Sequence, residues 1–360
     1  MANDSGLADF DIFSGPKPVE ALKGAAPTDT SHIVINAMLA QLSKYYTHPD
    51  VEEIVINRPG EIWLKRRRPK EGEHIWNQLA DKELTFEYLE RAARVVANAN
   101  GLPFGKGYDL SPVVYAALPG GHRFTAAFYQ NIVYDEITTQ GGVVMAIRQA
   151  PRGDNTISYA AYGLEAGVIV KPAPRFKDRR DDAPDSLQKL KAAINEGSHL
   201  IVSGATSTGK TTLLNRIIEE LDQELRIATV EDTRELVVKQ LNRFHIVLSR
   251  TEQTNNFDDA KAIDLLTRLT PDVILCGEVS TNNAGTIYEL TGSGHGSMMT
   301  TIHAEDPEQA LRAFIERMKH KQGSIDEASV LQEMKRRFTV VQIVRDHGGR
   351  RRISAVETFK

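Results

Sequence analysis

Eight residues constrain the fold more than any other feature of the chain: Gly204-Ala205-Thr206-Ser207-Thr208-Gly209-Lys210-Thr211. They complete a G-x-x-x-x-G-K-[ST] pattern, with the apolar run LIVSG before it and TTLLNRIIEEL, including Thr212, after it. A strand therefore enters the loop and a helix leaves it. Gly204 and Gly209 permit a tight turn whose N–H groups surround a phosphate, and the helix N-terminus turns its positive end to the same point. Lys210 reaches the β- and γ-phosphates, and Thr211 offers a hydroxyl to Mg²⁺. Residues 204–212 are the candidate site for a nucleoside triphosphate, ATP with Mg²⁺.

A phosphate cradle only binds, so hydrolysis needs further groups. The apolar run LRIATVED ends in Glu231-Asp232, and Val273-Ile274-Leu275-Cys276-Gly277-Glu278 ends in one acid. Open α/β sheets bind ligands at the carboxyl ends of their strands, and two acids here end two successive strands after the phosphate loop. Glu278 is expected to orient or activate water, with Gly277 where many such strands carry a metal-holding Asp. Cys276 reads as a small buried hydrophobe rather than a reactive thiol. The segment Thr291–Ala304, TGSGHGSMMTTIHA, puts His295 and His303 around a strand after a glycine-rich turn. Its spacing lacks a zinc pattern and suggests a loop against the nucleotide or a neighbouring subunit.

From about residue 187 onward strands and helices alternate, which argues for a largely parallel sheet flanked by helices. Asp306-Pro307 marks a helix start, and TVVQIVRDHGGRRRISAVETF reads as two strands around a turn. Residues 35–150 read instead as an α+β domain: helices at INAMLAQLSKYY and LTFEYLERAARVVANAN, a hairpin at VEEIVINRPGEIWLKRR, then VVYAALP, HRFTAAFY and GGVVMAIRQ as strands. Residues 1–34 read as a leader and 151–186 as a linker, leaving 187–360 for the phosphate-loop domain. One cysteine in 360 residues allows neither an internal disulfide nor a cysteine-based zinc site. No apolar run approaches a membrane span, and the acidic start is unlike a signal peptide, so a cytosolic protein is expected. Residues 1–150 hold 15 basic and 18 acidic side chains and the remainder 29 and 30, which gives no support to a sequence-specific nucleic-acid binder. The basic runs Lys65–Arg68 and Arg350–Arg352 read as solvated strand ends, with contact to anionic lipid or DNA as the alternative.

In order, GATSTGKT, TVEDTREL, VILCGEVS and TGSGHGSMMTTIHA resemble the Walker A loop, Asp box, degenerate Walker B and His box of the type II/IV secretion ATPase superfamily. EIVINRPGEIWL, GHRFTAAF and VVMAIRQ resemble the N-terminal half of the VirB-class traffic ATPases of type IV secretion and conjugation. The resemblance implies a RecA-like P-loop domain behind an N-terminal α+β domain. It also implies a homohexameric ring ATPase that works with cytoplasmic and inner-membrane components of a secretion apparatus, at the inner face of the inner membrane. By the same resemblance Glu231 is the Asp-box acid, Glu278 the Walker B acid and His303 the His-box residue, while Arg123 and Arg148 reach the nucleotide from the N-terminal domain. Two positions depart from the pattern: Ser280 stands where an arginine follows Walker B, and His122 where an acid precedes Arg123. The alternatives are a pilus retraction or extension motor, a type II secretion ATPase, and a nucleotide-gated scaffold with little hydrolysis. The single cysteine weighs against type II ATPases that carry a four-cysteine zinc element.

Overall fold

The computed structural model describes residues 30–67, 69–70, 73–107, 109–134, 140–151, 175–176, 185–248, 257–294 and 296–359. The leader and linker expected at 1–34 and 151–186 lie almost wholly outside these residues, as do Arg68 and His295. The chain divides into two compact units, the first built of residues 1–156 and 251–257 and the second of residues 157–250 and 258–360.

The first unit runs α1 (Thr30–Met38), α2 (Ala40–Tyr46), β1 (Val51–Ile56), β2 (Glu61–Arg66), β3 (Trp76–Ala80), α3 (Phe86–Ala99), β4 (Val113–Ala117), β5 (Arg123–Tyr129), β6 (Ile132–Val133) and β7 (Gly142–Arg148). Its six-stranded sheet has the order β3-β2-β1-β7-β5-β4, with antiparallel neighbours throughout. The β1–β2 turn places Gly60 at φ +82°, a conformation that glycine adopts without a Cβ penalty. Helix α3 starts where the Thr85 hydroxyl accepts the N–H of Tyr88 at 3.2 Å. Its Leu89, Ala92, Ala93, Val96 and Ala97 recur at helical spacing and are buried in one core with Phe124, Phe128 and Met145 of the sheet. Strand β3 was not anticipated, because WNQLA carries too few apolar residues to show a period.

The second unit runs α4 (Asp185–Asn195), β8 (His199–Gly204), α5 (Lys210–Glu220), β9 (Ile227–Glu231), β10 (Arg243–Val247), α6 (Asp259–Arg268), β11 (Val273–Cys276), α7 (Ala284–Gly292), β12 (Ser297–Ile302), α8 (Pro307–Gln322), α9 (Glu327–Arg337), β13 (Phe338–Arg345) and β14 (Arg351–Thr358). Its strands lie in the order β14-β13-β8-β12-β11-β9-β10. All neighbours are parallel except β14, which returns antiparallel along β13. The sheet is thus largely parallel, with helices packed on it. On one face Leu190, Ile194, Leu214, Ile217 and Ile218 of α4 and α5 share a core with Leu200, Val202, Leu275 and Val341. Where α8 meets the sheet, Phe314 packs on Phe338, their ring centroids 5.9 Å apart. Two details differ from the sequence reading. Strand β10 lies between β9 and β11 in sequence, so Glu231 and Glu278 do not end consecutive strands. Strand β12 lies between β8 and β11 in space, so the His-box strand is the immediate neighbour of the phosphate-loop strand.

Candidate active site

The parallel sheet of the second unit delivers the candidate groups to one edge. β8 runs into the loop at Gly204, and β9, β11 and β12 end at Glu231, just before Glu278, and just before His303. Ser207 (φ +60°) and Gly209 (φ +95°) take the left-handed backbone that lets the loop turn back on itself before α5. Thr208 fastens the turn, its hydroxyl donating to the Ala205 carbonyl at 2.8 Å.

Lys210 is buried at the start of α5. Its ammonium donates to the Gly204 and Ala205 carbonyls, each at 3.2 Å, and to Nδ1 of His303 at 3.1 Å. Burial lowers its pKa, offset in part by Glu278. Among the described residues Lys210 makes no ion pair. An ammonium surrounded only by carbonyls and an imidazole, at the positive end of a helix, is a fitting receptor for a phosphate. His303 is held neutral by burial and then by the charge of Lys210. An ammonium can only donate, so Nδ1 must be the acceptor and Nε2 carries the proton. That N–H faces Oε1 of Glu278 at 3.5 Å. Lys210, His303 and Glu278 therefore stand in a row, and the Glu278 side chain, 49% exposed, is open to a water.

Glu231 is built differently. It is buried, and its Oε1 accepts the backbone N–H groups of Glu235 and Leu236, each at 2.8 Å. Desolvation raises its pKa, and the backbone hydrogen bonds oppose that rise. The loop that it ties down brings the Glu235 carboxylate to 3.3 Å from the Thr211 hydroxyl. Thr211 and Glu235 give one hydroxyl and one carboxylate, a donor set that suits Mg²⁺, which keeps most of its ligands as water and phosphate oxygen. A Cβ on Gly277 would meet Cγ of Glu231 at 3.4 Å, an ordinary van der Waals contact.

Three further residues were not found from sequence. Arg317 of α8 bears electrostatically on Lys210, His303 and Glu278, and its Nη1 is buried without a partner among the described residues. Helical side chains lean toward the N-terminus, and the N-terminus of α8 comes directly after His303. Asn215 donates to the Glu235 carbonyl at 3.0 Å and accepts from the Val237 N–H at 2.9 Å, pinning the same loop to α5. Asn283 accepts the Ser280 N–H at 2.8 Å and donates to the Glu278 carbonyl at 3.0 Å, so Ser280 belongs to the turn that opens α7. Cys276 is buried, and burial pushes its thiol up to about 12.

In the first unit, Arg123 and Arg148 pair directly across β5 and β7. Arg148 donates to Glu52 at 2.9 Å, whereas Arg123 is exposed and makes no ion pair among the described residues. His122 accepts the Ala150 N–H at 3.1 Å and packs edge-on against Tyr46.

Residues 180–341 match the family model described as "Type II/IV secretion system protein". Similar curated proteins include the type IV secretion system protein PtlH of Bordetella pertussis, 28% identical over 76% of this chain and 78% of that protein. VirB11 of Bartonella quintana is 25% identical over 81% of this chain and 83% of its own length. In fold, the VirB11 ATPase of the Brucella suis type IV secretion system, solved with sulphate, aligns with a TM-score of 0.72 at 22% identity, covering 91% of this chain and 95% of that one. Most of the phosphate-loop unit lies inside the family match, and over most of its length the chain is similar to these VirB11-like proteins of type IV secretion.

Proposed function

We propose that the chain is a Mg²⁺-dependent ATPase of a type IV secretion apparatus, working as a homohexameric ring. The observation that carries the reading is the row from the phosphate-loop lysine through His303 to Glu278, assembled at the carboxyl edge of the parallel sheet. The VirB11-like relatives supply the machine, since PtlH and VirB11 are named as type IV secretion proteins.

Loop N–H groups and the ammonium of Lys210 receive the β- and γ-phosphates, whose oxygens replace the Gly204 and Ala205 carbonyls as partners of Nζ. Thr211, with Glu235 beside it, would hold Mg²⁺, which neutralises phosphate charge when bound. Glu278 orients the attacking water and accepts its proton, with His303 donating to the same carboxylate and fixing its direction. Glu231 acts through the loop it ties, as a positioning residue. Arg123 and Arg148 add positive charge toward the γ-phosphoryl group, and Arg123, exposed and without an ion pair among the described residues, suits that role. Turnover then drives transfer or assembly through an envelope-spanning channel, from the cytoplasmic face of the membrane.

Steady-state phosphate release tests the reading. Lys210→Ala should abolish hydrolysis and weaken ATP binding. Glu278→Gln should retain ATP binding and lose at least about a hundredfold in kcat, the range of one general base. Wild-type rates in either variant would overturn it.

A further inference from the structure

The basic end of the C-terminal hairpin does not simply meet solvent: it packs on the phosphate loop. β13 runs beside β8 with Ile343 paired to Gly204, so Arg345, two residues on, arrives at the loop. Its guanidinium donates to the Ser207 carbonyl from Nη2 at 2.7 Å and Nε at 3.2 Å, and to the Gly349 carbonyl in the hairpin turn from Nη1 at 3.0 Å. Ser207 is the loop residue that holds a left-handed backbone without being glycine, so Arg345 grips the loop where it is most costly to hold.

Arg351 stands directly opposite Arg345 across β13 and β14, which sends both side chains to one face. A Cβ on Gly209 would lie 2.9 Å from Nε of Arg351 and 3.1 Å from its Cζ. The guanidinium therefore rests against the residue that caps α5. Among the described residues the Arg351 guanidinium has neither hydrogen bond nor ion pair. The nearby Asp346 is engaged elsewhere, accepting the Gly348 and Arg350 N–H groups and Nε of Arg352 at 3.2 Å. Two cations opposed across a strand pair repel each other, and one of them also faces the positive end of a helix. That arrangement is unfavourable alone and becomes favourable once a polyphosphate lies in the loop.

We propose that this hairpin completes the nucleotide site, with Arg351 contacting the polyphosphate of the nucleotide in the loop and Arg345 acting as a positioning residue that fixes Ser207. The inference rests on the ATPase reading above and extends it to residues about 140 positions downstream of the loop.

The test is titration of the full-length protein with fluorescent ADP and ATP analogues in Mg²⁺, alongside thermal unfolding without nucleotide. Arg351→Gln should weaken affinity about tenfold, the loss of one charge-assisted hydrogen bond, with an unchanged melting temperature and a shallower salt dependence. Arg345→Ala should weaken affinity too, and Arg345→Lys should not restore it, because one ammonium cannot reproduce the two-pronged grip on a carbonyl. Arg352→Gln, on the opposite face and paired with Asp346, should leave affinity unchanged. If Arg351→Gln binds within about twofold of wild type while Lys210→Ala loses binding, the hairpin role is overturned and the ATPase reading stands. A wild-type protein that binds neither analogue overturns both.

Discussion

His303 has one protonation pattern that satisfies both neighbours, and that makes the row around it testable residue by residue. Lys210 and Arg317 lower its pKa by their charge, and Glu278 raises it. In an NMR pH titration, Lys210→Met and Arg317→Met should each move the His303 midpoint upward, and Glu278→Gln should move it downward. Unchanged midpoints in all three would show that the groups do not share one field. At this scale the sequence was informative where a residue's role lies in its own neighbourhood: the loop glycines, Lys210 and Thr211 follow from local spacing. Arg317 and Arg345 were not legible. Each is an arginine among many, given meaning only by a fold that carries it to a loop more than a hundred positions away.

Elements carry the next level of specification, and buried His199 joins three of them. From β8 its Nδ1 accepts the Met298 N–H of β12 at 3.0 Å, and its Nε2 meets the Thr291 carbonyl of α7 at 3.1 Å. Burial lowers its pKa to about 4 from an ordinary 6.5. The folded state therefore binds fewer protons than the unfolded chain below pH 6.5, and stability must fall as pH drops from about 6.5 toward 4. The shift corresponds to about 3 kcal/mol at the acid end. Urea unfolding across that window should show the loss, and His199→Asn should flatten the dependence while lowering stability at pH 7. An equally steep slope in the variant would refute the assignment. Capping gives a smaller effect. Asp306 accepts the Gln309 N–H at 2.8 Å ahead of Pro307, and Asp306→Ala should cost about 1 kcal/mol in the same assay. That helix start was readable because cap, proline and period coincide in one stretch. Strand β10 was not: RFHIV comes after a long irregular segment, and its role as a strand comes from pairing with β9. The position of β12 between β8 and β11 was likewise invisible, since order within a parallel sheet is set by crossovers and not by local pattern.

At the scale of the whole molecule, the acids and lysine of the candidate site belong to one unit, while Arg123 and Arg148, which resemblance alone relates to the nucleotide, belong to the other. Arg123 and Arg148 are adjacent at the ends of β5 and β7, and only Arg148 has a carboxylate partner among the described residues. Like charges paired across strands are unfavourable unless an anion lies nearby, and here the Glu52 carboxylate, 2.9 Å from Arg148, is that anion. In the ring proposed above every copy would make the same contacts, because closed cyclic assembly repeats each contact between neighbours without leaving an unmatched end. The near-neutral charge of both halves removes bulk repulsion as an obstacle to such packing. Light scattering should therefore find particles of six 40.0 kDa chains in ATP and Mg²⁺. Arg123→Ala should lower hydrolysis in those particles by at least about tenfold, the low end for a charge that stabilises the transferred phosphoryl group. The fold of the variant should be intact, because Arg123 is exposed and bears no packing load. A protein that stays monomeric at micromolar concentration, with and without ATP, would overturn the ring. A hexamer indifferent to Arg123→Ala would keep the ring and remove the arginine from it.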